Sequence, residues 1–213
     1  KNSFLVRYRY YCELLDKLSA LKSSNANAVT DARIEQKIEY LQELCAYNRI
    51  NTLSAIYNAG HGWLGASFSV AEILTALYFD IADICENGRL KVERDFIVLS
   101  KGHAAVMQYS ALAGLGIIPI RKLLKYKHKD GLQAHTDITT KGIEINSGSL
   151  GQALSKAAGI SLVTNKRVFT ILGDGELQEG QNYEAFMTII KYNLKNLITI
   201  IDKNNIQSDS NVN

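Results

Sequence analysis

The sequence predicts an α/β fold in which a mainly parallel sheet is flanked by helices. Three consecutive segments carry that expectation. RVFTILGDG is a β-branched apolar strand ending in a glycine turn, GQNYEAFMTIIKYN follows as a helix, and NLITIID is a second buried strand. Strand, helix and strand in that order make a βαβ unit whose strands run parallel. In such a sheet ligands sit outside the carboxyl ends of the strands, where GDG and DKNN both fall.

The elements before that unit follow in order. Residues 1–22 place Leu14, Leu15, Leu18 and Leu21 at helical spacing, and the small polar stretch SSNANAVTD reads as a linker. Between Thr30 and Ala59, Ile34, Ile38, Leu41, Leu44, Cys45, Asn48, Leu53 and Ile56 outline one or two amphipathic helices, with Thr30 or Asp31 as cap. The glycines of AGHGWLG end that pattern. A further helix is expected from Ser69 to Phe79, because Ser69 can cap it, Glu72 stands three residues later, and Ile73, Leu74, Leu77 and Tyr78 share a face. FIVLS is a short buried strand, GHAAVMQYSALAGLG a helix, and RKLLKYKHKDGLQAHTD a short helix running into a polar loop whose basic residues form a solvated face. NSGSLGQALSKAAGISLVTN sets a glycine-rich turn before an Ala-rich helix able to lie close on a sheet. Pro119, the sole proline, marks a loop, and neither an internal repeat nor a low-complexity tract is found.

Composition excludes several classes of function. The 213 residues are 46% apolar and 21% charged, enough to build a core and too hydrophobic for disorder throughout. Twenty-four basic against 21 acidic residues give +3 with no cationic block, which argues against a nucleic-acid partner. The longest apolar stretch, Ala104 to Ile120, is broken by Gln108, Tyr109, Ser110 and glycines, so no membrane span or anchor is expected. The N-terminus mixes charges with tyrosines where a secretory signal needs an unbroken apolar centre, and it opens on Lys1 without an initiator methionine. Cys12, Cys45 and Cys85 lie in no CxxC pair, and read as buried small hydrophobes in a reducing, cytoplasmic compartment.

The chemistry concentrates at the two strand ends. Gly173 and Gly175 flank Asp174, so backbone amides can approach a phosphate while the carboxylate holds a cation. Asn204 at the end of the next strand offers an amide oxygen, and Ile206 a backbone carbonyl. One carboxylate, one amide oxygen and one backbone oxygen leave room for two phosphate oxygens and a water around an octahedral Mg2+.

Gly173-Asp174-Gly175, Glu179-Gly180, Glu184-Ala185, Asn196-Leu197 and Asp202-Lys203-Asn204 together resemble the thiamine diphosphate motif of the transketolase family. AGHGWLGAS around His61, LSKGHA around His103, LQAHTD around His135 and GSLGQAL at 148–154 stand upstream in the family's order. The resemblance runs from about Glu35 to Asp209 and implies a doubly wound thiamine diphosphate-binding fold. It implies Asp174, Asn204 and the Ile206 carbonyl as ligands of Mg2+, with Gly173 and Gly175 against the diphosphate. It sets Gly148 and Leu150 beside the aminopyrimidine. Glu179 would lie near the pyrimidine at a dimer interface, in a carboxylate network that helps activate the cofactor. His61 and His103 would face the thiazolium and the sugar as proton-transfer or hydrogen-bonding groups, His61 also touching the cofactor. Trp63 either packs or lines the substrate channel, His135 has the weaker claim to a role, and His128 is solvated.

Two departures qualify the resemblance. The usual histidine-proline turn is replaced by His61-Gly62-Trp63-Leu64-Gly65, which bears on substrate choice. The family also activates its cofactor with a glutamate from a pyrimidine-binding domain, which this sequence does not contain. The expected division is a helical extension at 1–34, able to dock on a partner, and a C-terminally incomplete cofactor domain at 35–213. The expected protein is a fragment or the N-terminal subunit of a split transketolase, moving a two-carbon ketol unit between sugars once a pyrimidine-binding C-terminal subunit or domain completes a dimer or heterotetramer. The alternatives are the α subunit of a 2-oxo acid dehydrogenase or decarboxylase, and a non-catalytic scaffold subunit. A nicotinamide dehydrogenase fits poorly because no GxGxxG follows a strand.

Overall fold

The computed structural model describes residues 8–23, 31–207 and 210–212. Most of the expected polar linker, Thr30 as a helix cap, and Asp209 at the end of the resemblance lie outside them. The central feature is a parallel three-stranded sheet with β4 (Val168–Gly173) between β3 (Phe96–Leu99) and β5 (Leu197–Asp202). Because all three run the same way, Leu99, Gly173 and Asp202 end at one edge of the sheet, and the loops that follow them converge there.

Side chains alternate across the sheet as a two-residue period requires. Ile97, Leu99, Phe169 and Ile171 enter one core, built with α1 (Tyr8–Ser23), α2 (Asp31–Ala59), α4 (Ala71–Ala76) and α5 (Ala105–Gly114). Val98 and Val168 pack against Ala153 and Ala157 of α6 (Ala153–Val163), and Leu172 against Ala185 of α7 (Gly180–Lys191). Both faces are therefore covered, which makes the fold doubly wound, and β4 is buried along nearly its whole length. The small residues Ala153, Ala157 and Ala158 let α6 lie close on the strands.

The structure alters several helical expectations. Asp31–Ala59 forms one helix, and the boundary expected at 34/35 falls inside it. Ile34, Ile38 and Leu53 are more than 40% exposed, whereas Asn48, Asn51 and Thr52 are buried. The inward face of α2 is thus partly polar, for a reason that lies in α1. Tyr11 is fully buried, donates its hydroxyl to Asn48 Oδ1 at 2.9 Å and accepts from Asn51 Nδ2 at 3.0 Å. With Leu14 and Leu18 also buried, the apolar face of α1 is used in the chain's own core.

The expected Ser69–Phe79 helix is replaced by α3 (Leu64–Ser69), α4 and a wide π-type turn at Leu77–Ile81. Val70 occupies the cap position of α4, and Ser69 is the last residue of α3. Ile120–Lys125 forms only 3-10 turns, and α7 stops at Lys191, two residues before the end of the expected GQNYEAFMTIIKYN helix. A two-stranded hairpin of β1 (Cys85–Glu86) and β2 (Arg89–Leu90) turns at Asn87 and Gly88, both at positive φ. Cys45 is buried as expected, but Cys12 and Cys85 are only half-buried, and all three are free thiols. Among the described residues no helix is long and apolar enough to cross a membrane.

Tyr11→Phe removes the hydroxyl that links α1 to α2 while keeping the ring. It leaves part of a buried amide pair unsatisfied, at about 1–3 kcal/mol. The expected result is a thermal midpoint lowered by several degrees with unchanged far-UV circular dichroism; a wild-type midpoint contradicts this role for the hydroxyl.

Candidate functional site

The strand ends bring Asp174 and Asn204 together through the register of the sheet. Gly173 pairs with Asp202, and the Asp174 amide donates to the Asp202 carbonyl at 3.3 Å. The Asp174 carboxylate, 8% exposed, accepts from Gly175 N at 2.9 Å and from Asn205 N at 2.6 Å. Asn205 takes φ +59°, which folds the segment after β5 back toward that carboxylate. Asn204 Oδ1 then accepts from Ile206 N at 2.9 Å. Asp174, Asn204 and the Ile206 backbone thus share one small loop cluster, while the Ile206 side chain is 65% exposed. Among the described residues no three His, Cys, Asp or Glu side chains form a metal-binding group. A cation here would rest on one carboxylate helped by amide and backbone oxygens, a hard-oxygen set of the kind Mg2+ takes when phosphates and water complete its shell.

The neighbouring loops are held by Glu176, which no sequence motif singled out. It lies in a 3-10 turn at Gly175–Gln178 and is 2% exposed. Its carboxylate accepts from Ser100 Oγ after β3, from Gly151 N before α6 at 2.8 Å, and from Gly173 N at 3.1 Å. Its backbone carbonyl accepts from Asn182 Nδ2 at 2.6 Å, which ties in α7. A Cβ on Gly173 would meet only Glu176 Cβ, at 4.0 Å, so the approach to the Gly173 backbone is open. Glu179 is exposed at the start of α7 and its side chain does not cap that helix. It packs on the turn holding Leu150, since a Cβ on Gly151, at φ +85°, would come within 2.7 Å of Glu179 Cβ.

A second buried carboxylate, Asp202, is balanced differently. Lys101, 2% exposed, donates its ammonium to Asp202 Oδ2, forming a buried ion pair. Ser69 Oγ lies 2.8 Å from each Asp202 carboxylate oxygen, and Asn204 Nδ2 donates to Ser69 Oγ at 3.1 Å.

The histidine motifs form an adjoining cluster around Trp63. The Trp63 ring stands 5.2 Å from the His135 ring and 6.4 Å from the His103 ring. Gly148, at φ +124°, seats against His135, whose ring a Cβ there would approach to 3.3 Å. Lys127 is a correction to the solvated basic face: its ammonium sits 4.2 Å from the Trp63 ring centroid and 2.9 Å from His61 Nδ1. An ammonium only donates, so the hydrogen of a neutral His61 lies on Nε2. His61 is exposed and Trp63 is 41% exposed, so this edge of the cluster faces outward; His128 is exposed as expected. Burial, with Lys101 and His135 nearby, pushes the His103 imidazole down to about 4 despite the opposing pull of Asp202. Burial and Lys127 lower His135 as well. His103 is therefore a neutral hydrogen-bonding group near neutral pH.

This chain is similar in sequence and in fold to known proteins. The family described as transketolase, thiamine diphosphate binding domain, matches residues 41–213. An apulose-4-phosphate transketolase subunit of Actinobacillus succinogenes is 41% identical over 166 residues, 75% of this chain and 60% of that protein. A 6-deoxy-6-sulfo-D-fructose transketolase subunit of a Clostridium species is 40% identical over 183 residues, 82% of this chain and 66% of that protein. The chain thus spans less than two thirds of the length of either relative. Among solved structures, transketolase from Campylobacter jejuni superposes with a TM-score of 0.74 at 30% identity, covering 81% of this chain and 29% of that one.

The lowered His103 value makes a prediction for stability against pH. As pH falls from 6.5 toward 4, the unfolded chain takes up a proton on this imidazole before the native state does, so stability is lost across that window. His103→Gln is expected to flatten part of the decline in thermal midpoint between those pH values. An unchanged slope contradicts a depressed His103.

Proposed function

The chain belongs to the transketolase family, and on that premise we propose that it is the diphosphate-binding half of an enzyme that transfers a two-carbon ketol unit from a ketose to an aldose. The observation that carries this reading is the convergence of Asp174, Asn204 and the Ile206 backbone at adjacent parallel strand ends.

Asp174, Asn204 and the Ile206 carbonyl hold Mg2+, and the open backbone at Gly173 with Gly175 receives the diphosphate. The Asp174 carboxylate opposes a bare diphosphate here, so the cation is what makes its binding favourable. Gly148 and Leu150 offer backbone groups to the aminopyrimidine, a reading supported by the tight seating of their turn on His135 and Glu179. Glu179 acts at the interface with a second subunit. When bound, thiamine diphosphate supplies the electron sink for breaking the carbon–carbon bond of the ketose.

The histidines orient the sugar. His61 offers Nε2–H as a donor, since Lys127 occupies its Nδ1 side. His103, neutral through its burial, can accept or donate at a sugar hydroxyl. Trp63 stands against the His103 and His135 rings and lines this side of the site. The substrates are ketose and aldose sugars or sugar phosphates, and the named relatives, all transketolases, do not favour a 2-oxo acid dehydrogenase.

A pyrimidine-binding C-terminal subunit or domain completes the site, in a dimer or heterotetramer. Support comes from α7, where Tyr183, Met187 and Ile190 form an apolar row, each at least 60% exposed, beside Glu179. Three free thiols fit a cytoplasmic location.

The test is a calorimetric titration of thiamine diphosphate with Mg2+ into the chain assembled with its pyrimidine-binding partner, together with product analysis using ketose phosphate or 2-oxo acid donors. Binding and ketol transfer are expected for the native protein, with both lost in Asp174→Ala. Unaltered Mg2+-dependent affinity in that variant, or turnover of the 2-oxo acid alone, contradicts the reading.

A further inference from the structure

We propose that Ser69 is a positioning residue for the divalent cation, fixing which end of the Asn204 amide faces it. The inference rests on the cation reading given above and adds a residue to it. An asparagine side chain has an oxygen at one end and a donor NH2 at the other, and a hard cation accepts only the oxygen. Rotation by half a turn exchanges the two ends at almost no cost in shape. Something other than packing must therefore choose between them.

The chain Lys101–Asp202–Ser69–Asn204 makes that choice through the polarity of its hydrogen bonds. Lys101 has only donors, and with its ammonium on Asp202 the buried carboxylate remains an acceptor. A hydroxyl has a single hydrogen, and Ser69 commits it to Asp202 at 2.8 Å. The Ser69 oxygen can then only accept from its other neighbour, so the Asn204 NH2 must face it, as it does at 3.1 Å. The amide oxygen is left on the opposite side, where it accepts from Ile206 N, one residue beyond the Asn205 amide held by Asp174. Turning the amide over would set two oxygens against each other at Ser69 and two donors against each other at Ile206.

Ser69 is free for this task because it does not cap a helix. It ends α3, and Val70 takes the cap position of α4. The segment carrying His61 and Trp63 is in this way joined to the loop carrying Asn204.

The test measures Mn2+ affinity by electron paramagnetic resonance at saturating thiamine diphosphate, in the chain assembled with its partner. Ser69→Ala is expected to weaken Mn2+ binding about tenfold, as loss of a group orienting a ligand does. In an Asn204→Asp background both ends of the side chain are oxygen and orientation no longer matters. There, Ser69→Ala is expected to leave the affinity unchanged. Wild-type affinity in Ser69→Ala, or the same loss in both backgrounds, overturns the proposal while leaving the cation site standing. Absence of Mn2+ binding by the native assembly, or undiminished binding by Asp174→Ala, removes the site itself and the proposal with it.

Discussion

The Glu176 carboxylate, shut away from solvent, is the point on which the rest of the site depends. Ser100 follows β3, Gly151 precedes α6, and Gly173 ends β4; each gives this one side chain a hydrogen bond. The sheet already joins β3 to β4, and the Glu176 carboxylate adds the turn before α6 to the same point. Buried carboxyl oxygens are costly unless donors meet them, so the fold that buries Glu176 must also bring those donors in. The reverse also holds, because removing the carboxylate would strand the buried Gly151 N–H at about 1–3 kcal/mol and leave the half-buried Gly173 N–H without this partner. Motif loops and fold are therefore secured by the same contact.

The site manages its two buried acids in contrasting ways. Glu176 is met by neutral hydroxyl and backbone donors, whereas Asp202 is met by the Lys101 ammonium. The distinction matters for what each can do. Glu176 fixes backbone position, while the ion pair gives a direction to the hydrogen bonds that leave it through Ser69. Asp174 lies between, with both carboxylate oxygens anchored by single backbone amides and able to accept further. The His103 and His135 imidazoles, both lowered by burial, border this acidic floor, and the Lys127 ammonium lies against Trp63 and His61.

Much of this was legible in the sequence where local pattern and tertiary structure agree. The βαβ unit is written in periodicity, and its two strand ends, Gly173 and Asp202, turn out to be register partners, which is why Asp174 and Asn204 could be paired without coordinates. Ser69 was misread for an instructive reason. Ser followed three residues later by Glu is a sound capping signal, but α3 extends through Ser69 and the hydroxyl finds a carboxylate from 133 residues away. Lys127 stands in a run of basic residues, and nothing in that run says that its backbone takes φ +60° and sends the side chain over a tryptophan. Glu176 sits in a single 3-10 turn, too short for any periodicity to report burial. The polar inner face of α2 was likewise hidden, since it answers to a tyrosine on another helix.

The cation site at the strand ends is tested most directly by the anomalous scattering of Mn2+ in crystals of the chain grown with thiamine diphosphate. The expected result is a single strong peak bounded by an Asp174 carboxylate oxygen, Asn204 Oδ1 and the Ile206 carbonyl, with Ser69 still on the amide nitrogen. A peak elsewhere, or one at these strand ends without Asp174 and Asn204 as ligands, would overturn the assignment.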